Sequence, residues 1–154
     1  MEIEELITPA CVIPHLRAAS KKHVLQELAK RAADISKLSE RAIFDVLLER
    51  ERLGTTGVGN GIAIPHGKLP ELRRLHGLFA RLDTPVDFDS IDDQPVDLIF
   101  LLLAPETAGA DHLTALARVS RLLRDRAVCE KLRGADDNDA LYALLTDSRA
   151  SHAA

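Results

Sequence analysis

The 154-residue chain has the length of one domain, since about 100–200 residues is usual, and a chain of that size builds a core without disulfides or metal. Its 46% apolar and 29% charged residues describe a soluble globular protein, and its net charge of -4 lacks the basic excess of a nucleic-acid-binding domain. Aromatic residues make up 3%, with no Trp, which argues against a stacking platform for single-stranded nucleic acid.

The acidic start, Met1 to Glu5, is unlike the basic n-region of a secretory signal. A cytoplasmic location is therefore expected, with Cys11 and Cys129 as reduced structural thiols. Residues 11–16 read as a short edge strand, where Pro14 is tolerated. Ser20 caps a helix whose apolar positions are Val24, Leu25, Leu28, Ala29 and Ala32. Ser39 caps a second, with Ala42, Ile43, Val46 and Leu47 on its apolar face and Gly54 to stop it. From Gly54 to Gly61 every second or third residue is glycine, so no regular element is expected there.

A short strand, Ile62 to Ile64, then ends at Pro65-His66-Gly67, and a longer one runs from Leu75 to Leu82. Their close spacing allows an antiparallel pair. Residues 97–103 read as an apolar strand suited to burial on both faces, and the longest apolar run, Leu98 to Ala104, is too short for a bilayer. A helix resumes at Asp111, with Leu113, Leu116, Ala117 and Ser120 as its apolar stripe, and ends near Asp125. Helical segments at 126–133 and 138–146 follow, and the patternless tail at 148–154 is expected to fray. This order predicts an α/β fold in one domain, a mixed β-sheet with helices packed on both faces.

The densest chemistry lies between Arg50 and Lys68. A Walker A loop is excluded because Gly67-Lys68 is followed by Leu69 and preceded, five positions before Gly67, by Ile62. A dinucleotide fingerprint is excluded because Ile62 or Ile64 stands where the third glycine belongs, and the glycines precede a strand. His66 is the remaining candidate, at the carboxyl end of the short strand, with Pro65 stiffening the backbone before it and Gly67 clearing space after it. A neutral imidazole is abundant at pH 7 and is a usable nucleophile. A lone histidine after a strand is also compatible with an ordinary hydrogen-bonded residue.

The run Gly57-Val-Gly-Asn-Gly-Ile-Ala-Ile-Pro-His-Gly67 resembles the active-site signature of enzyme IIA of the fructose/mannitol class. That class is a component of the bacterial phosphoenolpyruvate-dependent phosphotransferase system. The likeness extends through Asp87-Phe-Asp-Ser-Ile-Asp-Asp-Gln-Pro-Val-Asp97 and the apolar strand to His112-Leu113, and implies one such domain over residues 5–147. Within the class, the run ending in Lys68 is most similar to the nitrogen-regulatory IIA proteins. The resemblance implies a mannitol/fructose-type IIA fold and a phosphoacceptor at His66, which takes its phosphoryl group on Nε2 from a histidine phosphocarrier protein. It also implies that His112 and Arg50 stabilise the phosphoryl group. His112 would lie at a helix N-terminus, which favours anions. Thr56 and Asn60 are candidates to contact phosphoryl oxygens. No cofactor or metal is required, because the donor is already a phosphohistidine. The implied partners are that donor and regulatory targets of the potassium-transport or sensor-kinase kind, with no membrane insertion.

The other polar residues have blander readings. His66, His76 and His112 match no common zinc spacing. Asp87, Asp89, Asp92, Asp93 and Asp97 are expected to form turns and caps rather than a cation site. His15, His23 and His152 are expected at the surface, as are Arg118, Arg121, Arg124 and Arg126. Arg73 and Arg74 either dock an acidic partner or sit on a solvated turn. Two rival functions stay open: a sugar-transport IIA that hands phosphate to a fructose/mannitol IIB, and a binding module that keeps the fold without phosphotransfer.

Overall fold

The computed structural model describes residues 1–147. The tail at 148–154, with His152, lies outside the described residues. After two 3-10 turns, Ile3–Glu5 and Pro9–Cys11, the chain runs β1 (Val12–Leu16), α1 (Lys21–Ser36), α2 (Glu40–Arg52), β2 (Gly57–Gly59), β3 (Ile62–Ala63), β4 (His66–Leu69), β5 (His76–Val86), β6 (Val96–Pro105), α3 (Ala110–Arg124), α4 (Arg126–Gly134) and α5 (Asn138–Thr146).

The strand order is β1-β5-β6-β3-β2, with β4 also paired to β6. The sheet is mixed: β5 runs antiparallel to β6, whereas β3 and β4 run parallel to it and β1 runs parallel to β5. The edge placement of β1 lets Pro14 lie in a strand without removing a hydrogen bond from the interior of the sheet. The expected antiparallel pair of 62–64 with 75–82 does not form. Both segments instead flank β6, on opposite edges, because the strand that is apolar and buried from Leu98 onward takes the centre. β6 is buried without interruption from Leu98 to Pro105, so side chains on both of its faces are covered. α3 packs on β6, α1 on β5, α2 on β4 and α5 on β1.

Ser20 and Ser39 cap α1 and α2 as expected, each accepting from the backbone N–H three residues on, at 3.1 and 3.2 Å. Three local expectations need correction. The glycine run is not wholly irregular: β2 and β3 form a small antiparallel hairpin across Asn60-Gly61, both in the left-handed region at φ 57° and 80°. Asn-Gly is a strong two-residue hairpin signal. Secondly, α3 turns the other stripe inward. His112, Ala115, Val119, Leu122 and Leu123 are buried, whereas Leu113 is 69% exposed. Both stripes recur at helical spacing, and the sheet selects the one carrying Val119 and Leu122. Thirdly, Arg118 is not simply solvated but pairs with Glu2 at 2.8 Å.

Candidate functional site

His66 does not stand beyond the end of a strand. β3 pairs Ile62 with Leu98 and Ala63 with Ile99, and β4 continues in the same register with His66 opposite Leu102. The chain therefore follows β6 throughout, broken only at Ile64-Pro65, where the Pro65 carbonyl still accepts from Leu102 N at 3.0 Å. His66 opens the second half. Gly67 and Leu69 are buried, while His66 and Lys68 on the alternate face are partly or fully exposed. A Cβ on Gly67 would overlap the Val46 side chain of α2, so this glycine lets α2 approach β4 closely.

That approach brings Arg50, in the last turn of α2, against the imidazole. Arg50 donates from Nε to His66 Nε2 at 3.2 Å and from Nη1 to the Gly54 carbonyl at 2.9 Å. On the other side of the ring, His66 Nδ1 lies 2.9 Å from the Ile64 carbonyl. A carbonyl only accepts and a guanidinium only donates. The network therefore assigns the neutral tautomer with the proton on Nδ1 and the lone pair on Nε2. Burial holds the His66 pKa below the ordinary imidazole value. The Ile64 carbonyl and the Glu51 charge oppose that shift, and the Arg50 charge adds to it.

His112, in the first turn of α3, meets the His66 ring edge-on, with 5.7 Å between ring centroids. Its Nε2 is buried with no hydrogen-bond partner. Burial first, then the His66 and Lys68 charges, lower its pKa also. His66, His112 and Arg50 share an open groove with Asp45, Val46, Glu49, Leu53, Gly67 and Lys68.

Thr56 and Asn60 are not brought to this groove. Thr56 is buried, and its hydroxyl donates to the Glu51 carboxylate. Asn60 sits at the hairpin turn. Its N–H donates to Asp92 at 2.8 Å, its carbonyl accepts from Arg133 at 2.8 Å, and it lines a separate hollow with Val58, Ile62, Ser120 and Arg124. The aspartates act largely as expected: Asp87 and Asp92 accept from backbone N–H groups of their own turn. Asp97, however, forms a two-pronged pair with Arg133 at 2.8 and 2.9 Å. Among the described residues no three His, Cys, Asp or Glu side chains converge on a common point. Arg73 and Arg74 are exposed beyond β4. His15 is at the surface but spans two elements, with Nδ1 at 2.8 Å from Asp83 and Nε2 at 3.0 Å from the Asp136 carbonyl.

Sequence reasoning missed Glu51 and Lys21. Glu51 is 9% exposed, and Lys21 Nζ lies 2.8 Å from its Oε1. A signal was present: Glu51 stands four residues after Leu47 and eight after Ile43, on the buried stripe of α2.

Over residues 5–148 the chain matches the family model described as phosphoenolpyruvate-dependent sugar phosphotransferase system, EIIA 2. A nitrogen regulatory protein of Bradyrhizobium diazoefficiens is 60% identical over 145 residues, covering 94% of this chain and 95% of that one. The crystal structure of nitrogen regulatory protein IIA-Ntr from Neisseria meningitidis superposes with a TM-score of 0.89 at 35% identity, covering 94% of this chain and 99% of its own. IIA mannitol from Escherichia coli shares the fold, with a TM-score of 0.78 at 20% identity over 90% of this chain and 98% of its own. Glycine loop, sheet and paired histidines thus occur in a chain that belongs to the EIIA 2 family of the phosphoenolpyruvate-dependent sugar phosphotransferase system.

Proposed function

We propose that this chain is a phosphocarrier of the nitrogen-regulatory branch. It accepts a phosphoryl group on His66 Nε2 from the phosphohistidine of a small histidine phosphocarrier protein. One observation carries the reading: the Nδ1–H bond to Ile64 leaves the lone pair on Nε2, beside the Arg50 cation.

In the transfer step the Nε2 lone pair forms the new N–P bond. The N–P bond of the donor breaks, and its electron pair returns to the donor imidazole. The proton stays on Nδ1, where the Ile64 carbonyl offsets the positive charge that the ring develops. Arg50 exchanges its bond to Nε2 for the phosphoryl oxygens, which carry about -1.5 to -2 in other phospho-residues. His112 supplies the second contact, since its Nε2 has no other partner. Catalysis is then positioning and charge stabilisation, with no metal or nucleotide.

The output is regulatory and cytoplasmic, exerted on other proteins. Potassium-transport and sensor-kinase proteins are the classes the resemblance implies. The name borne by the 60% identical relative supports this branch.

The test is intact-protein mass spectrometry at alkaline pH after incubation with phosphoenolpyruvate, the general kinase of the system and the carrier protein. Wild type should gain the mass of one phosphoryl group, about 80 Da, and His66→Ala none. No gain in a folded wild type with an active donor would leave a binding module. Onward passage of the label to a fructose/mannitol IIB would move the chain to the sugar-transport branch.

A further inference from the structure

Glu51 is a buried carboxylate that the transfer step does not use. Its Oε1 accepts from Lys21 Nζ at 2.8 Å and from Thr56 N at 3.0 Å, and its Oε2 accepts from the Thr56 hydroxyl. Lys21 is itself held between the Phe88 carbonyl at 3.4 Å and the Phe88 ring at 5.2 Å. A buried charge is tolerated only when it is paired and hydrogen-bonded, and Glu51 meets both conditions.

The contacts continue beyond Thr56. The Thr56 carbonyl accepts from Ile64 N at 3.0 Å, and the Ile64 carbonyl lies 2.9 Å from His66 Nδ1. His66 Nε2 accepts from Arg50 at 3.2 Å, and Arg50 donates on to the Gly54 carbonyl at 2.9 Å. Gly54 N returns to the Glu51 carbonyl at 3.1 Å. The circuit Glu51, Thr56, Ile64, His66, Arg50, Gly54 closes on itself around the imidazole.

We propose that Glu51 is a positioning residue for His66: by binding Thr56 it sets the height of the Ile64 carbonyl, and so holds the proton on Nδ1 and the lone pair on Nε2. This rests on the reading of His66 as phosphoacceptor. The same tie fixes the last turn of α2, which carries Arg50. Thr56, expected to touch phosphate, instead transmits the position of Glu51 to the strand. The negative charge of Glu51 also acts through space, favouring the protonated imidazole against the larger opposing effect of burial. The other charged or titratable groups facing the ring are Asp45, Glu49 and Arg50 from α2, Lys68 from β4 and His112 from α3.

The experiment compares wild type, Glu51→Gln and Thr56→Val. Glutamine keeps an acceptor for Thr56 N and loses the charge. Valine keeps the shape of threonine and loses only the hydroxyl bond. Two readouts are taken on folded, unphosphorylated and phosphorylating protein respectively: the His66 ring nitrogens by 15N NMR, and the rate of phosphoryl gain by mass spectrometry. The expected result in both variants is a spectrum moved from the pure Nδ1–H tautomer toward a mixture. Glu51→Gln should in addition titrate His66 at lower pH. Rates should fall about 10- to 100-fold, as an error of about 1 Å in a reacting group costs about 100-fold. An unchanged tautomer and rate in both folded variants would overturn the proposal. A wild type that never gains phosphate would sink the phosphocarrier reading, while the NMR comparison would still decide the role of Glu51.

Discussion

Arg50 Nε donates to His66 Nε2 at 3.2 Å, so the nitrogen proposed to take the phosphoryl group already faces a fixed cation. Its second bond, from Nη1 to the Gly54 carbonyl, holds the guanidinium when the imidazole is displaced. A planar fork with several donors can hold the backbone and a phosphoryl oxygen together, and an ammonium cannot in the same geometry.

Arg50→Lys should therefore fold normally and still lose transfer. Removing one preorganised donor from a site of developing charge costs about 10²–10³-fold in rate. A time course of phosphoryl mass gain measures this. A rate within twofold of wild type would remove Arg50 from the mechanism.

The role proposed for His112 differs, because it meets the His66 ring only edge-on and leaves its own Nε2 unpaired. His112→Ala should still accept phosphate, more slowly or as a shorter-lived adduct. Acceptance and hydrolysis at alkaline pH are followed separately in the same variant. If neither changes, the side chain only packs.

The pH dependence of stability has a definite sign. Burial first of all lowers the pKa of His66, His76 and His112 in the folded chain. The unfolded chain binds protons near the ordinary value of about 6.5, where the folded chain still refuses them. Stability is thus full above about pH 6.5 and is lost as pH falls toward the folded values of the three rings. The carboxyls of Asp83 and Asp92 are held below the usual range chiefly by hydrogen bonds, from His15 and from Asn60 N respectively, so their contribution is lost only in stronger acid. Urea unfolding at pH 7.5, 6.5 and 5.5 should give midpoints that decrease in that order. A midpoint highest at pH 5.5 contradicts the assignment. The same shift keeps His66 neutral, so phosphoryl acceptance should persist below pH 6.5 further than for free imidazole.

Gly67 owes its place to packing and not to an unusual backbone. A Cβ there would overlap Val46 of α2. Gly67→Ala should cost about 1–3 kcal/mol, the usual range for forcing extra volume into a packed contact. Adding Val46→Ala should recover most of it, since it removes the opposing methyl groups. Urea denaturation of the two single variants and the double variant measures the coupling. Simple additivity would show that the two residues do not oppose each other.

Much of the architecture was legible because the signals are local. Ser20 and Ser39 sit one residue before helices whose apolar faces repeat at helical spacing, and a serine hydroxyl satisfies an orphan N–H wherever it stands. The unbroken apolar run from Leu98 to Leu103 implied a strand covered on both faces, and it became the sheet centre. The glycine motif pointed to His66, and the structure places Arg50 and His112 beside it.

What the chain alone left open depends on partners distant in sequence. His66-Gly67-Lys68-Leu69 has no β-branched residue and no alternating apolar pattern, and it becomes β4 because β6 offers it a hydrogen-bonding edge. The choice between the two stripes of α3 was made by the sheet beneath it, which buried Val119 and exposed Leu113. Thr56 looked able to bind phosphate, since a hydroxyl beside a glycine loop has that chemistry. Its true partner is a carboxylate that the fold buries, and burial makes that bond too costly to leave unmade. Sequence singled out His66, Arg50 and His112 as the residues proposed to carry the chemistry. Only the tertiary structure decided which of them meet, because hydrogen bonds and charges inside a core are set by what excludes water from them.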